Sequence, residues 1–318
     1  MFAKSLYGTQ LKSYEVPIWL DLVYYVYSYF IRSSFRWFME KLTGRSLLER
    51  VLLKNPKHFG CVTTEVERLI SEYDIPQLCN GWTEDNEREL SKLIVQCQCL
   101  ETNDEIRVEL QRILERSLKQ IREYKELCEK VEKRRKEKYD SMNVHHRKKL
   151  TLLWNSLFPH NELKSLKTKQ WQMIGFQGDD PSTDFRGMGM LALDQLSFFV
   201  RYDVNNAVSV LHQSVNDETG FPMAITGITI TSTLCDWLHK GYLKRHFYNT
   251  VSGSLKIDDF HHAYCVIFKL FSSIWTSSKP PSIMAFNSIF EQFCERLIKF
   301  LNNEATNLNI LSENELQL

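Results

Sequence analysis

The spacing of apolar residues predicts a chain built mainly of amphipathic helices. From about Glu101 to Val131, apolar side chains recur every three or four positions with charged residues between them, which predicts one long helix. Its end, EKVEKRRKEKYD, carries charges of both signs. We interpret this run as a solvated helix end, with contact to phosphate or lipid as the alternative.

Further apolar stripes predict additional helices in the second half of the chain. Asp140, Ser141 or Asn143 can cap the first of them, which Phe158-Pro159 ends. The segment 224–234 is rich in β-branched residues, which leaves a strand possible, but the spacing that continues beyond it favours a helix. The other predicted helices cover residues 188–202, 261–275 and 283–301.

An apolar and aromatic segment precedes these helices, at residues 16–42. Residues 16–31 are apolar or aromatic on every side apart from Asp21 and a few hydroxyls, so this stretch is too short and too polar for a clear membrane span. Basic residues follow it from Arg32 onward. Two interpretations stay open: a helix buried in the core, or a peripheral membrane anchor.

The composition is that of a globular protein without a dominant charge. Hydrophobic residues make up 43% and charged residues 25% of the 318 positions, which excludes a disordered chain. The formal net charge is +1, so no overall field favours nucleic acid. With only 12 glycines and 8 prolines, the chain has few turn signals, in agreement with a helical fold.

The cysteines and histidines give no sign of a disulfide framework or a metal site. Eight cysteines are spread over the chain without a framework spacing, and no Cys-x-x-Cys occurs. The pairs His145-His146 and His261-His262 lack the spacing of zinc ligands. We therefore expect reduced thiols, no metal and no cofactor.

Four of the 12 glycines lie within fifteen residues, at positions 175, 178, 187 and 189. Gly175 and Gly178 would allow a positive φ in a tight loop, and one of the residues 182–184 would cap a helix that starts there. Arg186 would then project from the first turn of that helix. The segment is no P-loop, because it lacks the Gly-Lys-Ser/Thr ending and the preceding glycine-rich strand turn.

This segment resembles the signature of the ELMO domain. The shared pattern is W-x-x-x-G-F-Q-x-x-x-P-x-T-D-F-R-G-x-G-x-x-x-L-x-x-L, and the resemblance extends over roughly residues 139–301. The early sequence KLTGRSLLERV also resembles the small ELMO domain-containing proteins, whereas residues 55–135 match less well. The residues that fill the pattern are Trp171, Gly175, Phe176, Gln177, Pro181, Thr183, Asp184, Phe185, Arg186, Gly187, Gly189, Leu193 and Leu196.

The resemblance implies an all-α protein, with an orthogonal multi-helix bundle as its ELMO domain. This domain would cover residues 139–305, after an N-terminal helical region at 1–138 and before a polar tail at 306–318. The resemblance further implies a GTPase-activating protein in membrane traffic, which supplies Arg186 in trans to the GTP form of an Arf or Arf-like GTPase. Such a protein would act in the cytoplasm, in peripheral contact with a membrane through residues 16–42.

Several roles within the segment stay open. Arg186 could instead be structural, in an ion pair with Asp179, Asp180 or Asp184, in a protein that binds its GTPase or a membrane partner as an effector or scaffold. Gln177 could place the attacking water, but buried hydrogen bonding to the loop backbone is the interpretation that we favour. Trp171, Phe176 and Phe185 are expected to anchor the loop in the core. The other pattern residues from Gly175 to Gly189 would shape the loop or contact the GTPase.

Overall fold

A computed structural model describes residues 39–54, 58–72, 82–99 and 103–316. Within these ranges every regular element is an α-helix or a 3₁₀ turn, and the predicted all-α class is confirmed. The segment 16–42 lies outside the described residues except for its last four positions, so its two interpretations stay predictions. None of the helices in the described ranges is long and apolar enough to cross a membrane.

Twelve α-helices lie wholly within the described residues and are numbered here in chain order, and residues 39–43 are helical as well. They are α1 (Leu47–Leu52), α2 (Phe59–Glu72), α3 (Glu87–Gln98), α4 (Asp104–Lys136), α5 (Val144–Leu157), α6 (Ser182–Phe185), α7 (Gly189–Tyr202), α8 (Val204–Ser214), α9 (Met223–Lys240), α10 (Lys244–Thr250), α11 (Ile257–Ser277) and α12 (Phe286–Leu301). The 3₁₀ turns are Glu84–Asn86, Lys169–Ile174, Arg186–Met188, Ile283–Ala285, Leu308–Ile310 and Glu313–Glu315.

The long helix α4 confirms the strongest periodicity in the sequence. Asn103 caps it, because its side chain accepts a hydrogen bond from the backbone N–H of Ile106 at 2.9 Å. Acidic residues occupy the first turn and basic residues the last turn, where each sign is favoured by the helix dipole. With 33 residues, α4 is about 50 Å long.

Helix α4 joins two hydrophobic cores. Its first half contributes Leu110, Leu114, Leu118 and Ile121 to a smaller core with α1, α2 and α3. Its second half contributes Tyr124, Leu127 and Val131 to a larger core with the helices from α5 onward. The side chains that enter the two cores follow one stripe of the helix, and that stripe is the periodic pattern read from the sequence.

The remaining predicted helices are also found. Asn143, among the three proposed caps, accepts from His145 N at 2.9 Å and begins α5. The β-branched segment 224–234 lies in α9 and is helical. There the hydroxyls of Thr229, Thr231 and Thr233 each bond to a carbonyl four residues earlier, which gives these polar groups partners inside the helix.

The last described residues return to the larger core. Within the segment 306–316, which is predominantly polar, Leu308, Leu311 and Leu316 are buried against that core. The seven described cysteines are free thiols. Burial raises the pKa of Cys128 to about 11 and that of Cys235 to about 12, so both are protonated at neutral pH.

Candidate functional site

The Asp-Phe-Arg-Gly segment lies in a break between two helices. The short helix α6 ends at Phe185, a 3₁₀ turn covers Arg186–Met188, and α7 begins at Gly189. Arg186 has a φ of +41°, which interrupts the helix that the sequence predicts to continue through this position. A positive φ is uncommon for a residue with a Cβ, so this conformation must be fixed by the surrounding structure.

A row of buried aromatic rings anchors the loop to the larger core. The ring centroids lie 5.6 Å apart for Trp154 and Trp171, 5.7 Å for Trp171 and Phe176, and 6.0 Å for Phe176 and Phe185. All three signature aromatics are at most 3% exposed, so the prediction that Trp171, Phe176 and Phe185 anchor the loop in the core is confirmed. The near-perpendicular planes are a favourable arrangement for aromatic pairs.

Two aspartates hold the backbone of the loop. The buried Asp184 accepts from Gln177 N at 2.8 Å, which ties the start of the loop to α6. Asp180 accepts from the backbone N–H and the hydroxyl of Ser182 and pairs with Lys167 at 2.7 Å. Burial opposes ionisation, but the bonds from Lys167 and Ser182 prevail and lower the pKa of Asp180.

The cap of α6 differs from the predicted one. Residue 181, a buried proline, occupies the N-cap position, and neither Ser182, Thr183 nor Asp184 caps the helix. Thr183 is exposed and donates its hydroxyl to the carbonyl of Asp180 at 2.8 Å. The helix is a single turn that comes shortly after Asp180. The polar side chains that we proposed as caps form hydrogen bonds with the preceding loop instead.

Arg186 is exposed and its guanidinium has a neutral partner. Its Nη2 donates to Oε1 of Gln177 at 2.7 Å. Within the described ranges it forms no ion pair, so the alternative pairing with Asp179, Asp180 or Asp184 is not what the structure contains. The prediction for Gln177 is wrong, because its side chain is exposed and bonds to Arg186 rather than to buried backbone.

Two glycines are required by close backbone contacts. A Cβ at Gly175, where φ is +87°, would lie 2.5 Å from the backbone N of Met223. A Cβ at Gly189, where φ is +49°, would lie 2.3 Å from the carbonyl oxygen of Glu137. Gly178 has no positive φ, contrary to our expectation. At Gly187 a Cβ would meet nothing within 4 Å, so the surface beside Arg186 is open to another molecule.

The end of α4 also contacts the loop, and we did not predict these contacts from the sequence. Arg135 Nη1 donates to the carbonyl of Gly187 at 2.7 Å, and Met190 N donates to the carbonyl of Glu137 at 2.7 Å. Arg134 pairs with Asp194 of α7. The interpretation of the charged run as a merely solvated helix end is therefore wrong for its two arginines. The only signal was the adjacent Arg-Arg pair, which does not reveal partners more than fifty residues away.

This arrangement presents the exposed guanidinium of Arg186 on a loop that aromatic packing and hydrogen bonds anchor. In the part of the chain that the structure describes, no group of three His, Cys, Asp or Glu residues could hold a metal ion. A cleft of about 660 Å³ lies at the far end of α7, lined by residues such as Tyr202 and His262, away from Arg186. The loop is therefore suited to placing a guanidinium against an anionic group of a second molecule.

Comparison with known proteins assigns the segment to a described family. Residues 129–290 match the ELMO/CED-12 family. The chain is 35% identical to ELMO domain-containing protein 2 of Bos taurus over 285 residues, which cover 86% of this chain and 92% of that protein. It is 33% identical to human ELMO domain-containing protein 1 over 310 residues, covering 89% and 92% of the two chains. ELMO domain-containing protein B of Dictyostelium discoideum is 37% identical over 177 residues, 56% of this chain and 61% of that protein.

Proposed function

This chain belongs to the ELMO/CED-12 family, and from that premise we propose that it stimulates GTP hydrolysis by an Arf or Arf-like GTPase, with Arg186 as an arginine finger in trans. The observation that carries the proposal is the state of Arg186: exposed, without a carboxylate partner among the described residues, and held on an anchored loop. In the Asp-Phe-Arg-Gly stretch that the ELMO signature shares, this is the arginine to which the resemblance gives the catalytic role.

The chemistry of phosphoryl transfer explains why such an arginine matters. A GTPase holds Mg²⁺ and the phosphates but leaves negative charge on the transferring group incompletely stabilised. A guanidinium can donate two parallel hydrogen bonds to phosphate oxygens and stays charged at any relevant pH. In GTPases of other families an arginine supplied in this way accelerates hydrolysis by about 10³ to 10⁵, which corresponds to roughly 4 to 7 kcal/mol of barrier.

The loop supports this role because it limits the conformational entropy that Arg186 loses on binding. The aromatic row and the Arg135 contact to Gly187 fix the backbone on both sides of the arginine. Gln177 orients the guanidinium but leaves its charge uncompensated. A preorganised group of this kind pays less conformational entropy when it enters the nucleotide site of a partner.

Single-turnover GTP hydrolysis by a panel of purified Arf and Arf-like GTPases tests the proposal. We expect wild type to accelerate at least one member, and Arg186→Ala and Arg186→Lys to lose about 10³-fold or more of that acceleration. Lysine keeps the charge but loses the planar fork. Arg88→Ala, an exposed arginine of α3, is the matched control and should keep full activity. Circular dichroism checks that each variant is folded.

The other outcome of this experiment identifies the second class of function. If the chain binds the GTP form of a GTPase and no member of the panel is accelerated, the protein is an effector or scaffold and Arg186 shapes the loop. Binding to the GTP form, measured for wild type and Arg186→Ala alike, separates this case from simple absence of the right partner.

We also propose that the protein acts in the cytoplasm, in peripheral contact with membranes through residues 16–42. The support is the sequence, in which an aromatic segment is followed by several arginines. Flotation of the full chain with liposomes, beside a chain that lacks residues 1–42, tests this. Equal flotation of the two proteins would exclude the segment as the anchor.

A further inference from the structure

A second site lies on the other side of the α4 arginines, in a cleft between α4, α5 and α7. Its volume is about 340 Å³. Four of the side chains that line it are cationic: Arg134 from α4, Lys148 and Lys149 from α5, and Arg201 from α7. Arg186 does not line it, so this cleft is separate from the proposed GTPase contact.

Helical spacing explains how these residues meet. His145, Lys148, Lys149 and Leu152 are three, four and seven positions apart and therefore share one face of α5. Met190, Ser197 and Arg201 share the facing side of α7 in the same way. The sequence alone does not show this convergence, because each helix contributes only one or two cations.

The charges within the cleft are only partly neutralised. Asp194 pairs with both Arg134 and Lys149, and Glu137 also pairs with Arg134. Within the described chain Lys148 forms no ion pair, and Arg201 bonds through its Nε to the carbonyl of Ser197 at 3.2 Å. Four cations thus face two carboxylates, which leaves a local excess of positive charge that is greater than the net charge of the whole protein.

A buried hydroxyl gives a second, independent indication. Ser197 lines the same cleft, is 1% exposed, and its Oγ has no hydrogen-bond partner among the described residues. A buried polar group without a partner is rare in proteins, because desolvation then goes uncompensated. Its position beside unpaired cationic groups suits a ligand that accepts several hydrogen bonds.

We propose that this cleft binds a phosphate monoester. A phosphate group carries about two negative charges and three strong acceptor oxygens, which match two available cationic side chains and one hydroxyl donor. Asp194 stays anionic, since it is held between Arg134 and Lys149, and it keeps these two cations at the floor of the site. The apolar walls formed by Leu152 and Met190 leave room for the carbon skeleton of the ester.

Titration calorimetry of the full chain with inositol trisphosphate and with inorganic phosphate tests the site. We expect Lys148→Ala/Arg201→Ala to weaken the binding of the ester by at least about tenfold, because two charge-assisted contacts are lost. Ser197→Ala should weaken it about two- to tenfold and leave the thermal unfolding midpoint unchanged. The matched control is Lys269→Ala/Lys299→Ala, two exposed lysines of α11 and α12, which should bind like wild type.

Two sources of the phosphate group are separated by a second measurement. This measurement is sedimentation with phosphatidylcholine vesicles, with and without a phosphatidylinositol phosphate. The ligand is a lipid headgroup if the vesicles that contain this lipid recruit wild type more than the cleft variant, and if inositol trisphosphate competes with them. A soluble ester is the ligand if calorimetry shows binding and the vesicles recruit both proteins equally. Failure of both phosphate probes to bind wild type overturns the proposal, as does an equal loss in the control variant. Arg186→Ala should bind both probes unchanged, so this result does not depend on the GTPase activity.

Discussion

The loop that carries Arg186 and the charged cluster of Arg134, Lys149 and Asp194 use basic residues in opposite ways. Arg134 is partly buried, with 26% of its side chain exposed, and it meets the carboxylates of Asp194 and Glu137. These bonds raise the pKa of Arg134 despite partial burial. Arg186 is exposed, and among the described residues its guanidinium bonds to the neutral amide of Gln177. The first arginine joins α4 to α7, whereas the charge of the second is not compensated by a carboxylate among the described residues.

The contrast shows how a protein can orient a cation without cancelling it. A carboxylate beside Arg186 would hold the guanidinium more strongly, but a phosphate group would then have to compete with it. An amide oxygen supplies direction with a weaker bond that is easier to give up. The neighbouring ion pairs supply the rigidity that this weak bond cannot, because they anchor α4, whose Arg135 holds Gly187.

The largest expected effect on stability comes from breaking the aromatic frame under the loop. Phe185→Ala removes a ring that is 1% exposed and packs against Phe176 and Tyr139, so we expect the free energy of unfolding to fall by about 3 to 5 kcal/mol. We expect GTPase activation to be lost as well, because the backbone at Arg186 loses its support. Urea unfolding and single-turnover hydrolysis measure the two effects.

Phe293→Ala is the matched control for this experiment. Phe293 is a fully buried ring of α12, packed against Phe271 in another part of the core. It should lose comparable stability and keep its activity at a temperature where the protein is folded. Full activity of folded Phe185→Ala would show that the loop does not need its aromatic anchor.

A smaller effect is expected from Asp194→Asn in the charged cluster. Asp194 accepts charge-assisted bonds from Arg134 and Lys149, so its neutralisation should cost about 1.5 to 3 kcal/mol of stability at neutral pH. Burial raises the pKa of this carboxyl, but the bonds from the two cations outweigh burial and hold it below the ordinary value of 3.8. Because the folded-state pKa is depressed, the stabilisation is present above about pH 4 and is lost as the pH falls through the folded pKa.

The measurement is urea unfolding of wild type and Asp194→Asn between neutral pH and about pH 3. The difference in the free energy of unfolding between the two proteins should shrink toward acid pH. Burial lowers the pKa of the neighbouring His261 to about 4, and the charge of Asp194 acts in the opposite direction, so the two proteins are also compared with His261→Gln in both. A difference that is constant with pH would mean that Asp194 stabilises the fold by packing rather than by charge.

Local signals in the sequence were enough for much of the fold and for the anchors of the site. Apolar periodicity located α4, α5, α9, α11 and α12, and Asn143 caps α5 as its type predicts. The signature aromatics are buried as expected, because large apolar side chains are stabilised by removal from water. These features depend on residues within one or two helical turns of each other.

The geometry around Arg186 could not be predicted in the same way. Periodicity reports which face of a helix is apolar, but it does not reveal a φ of +41° at one residue, and this change is what turns Arg186 toward Gln177. The contacts of Arg134 with Asp194 and of Arg135 with Gly187 join residues 60 and 52 positions apart. Such pairs follow from how the helices pack, and a single sequence carries no local mark of them.

The smallest expected effect is that of Gln177→Ala, which removes the partner of Arg186. The bond joins a charged guanidinium to a neutral amide, and because it is exposed to solvent we expect it to contribute about 0.5 to 1.5 kcal/mol, so the maximal rate of stimulated hydrolysis should fall about two- to tenfold with little change in stability. Gln96→Ala, an exposed glutamine of α3, is the control and should retain the wild-type rate. A loss of a hundredfold or more would indicate that Gln177 places the attacking water instead. A faster rate would show that the bond to Gln177 restrains Arg186. Arg134 and Arg186 would then both be held in place by their partners, and they would differ only in how strongly they are held.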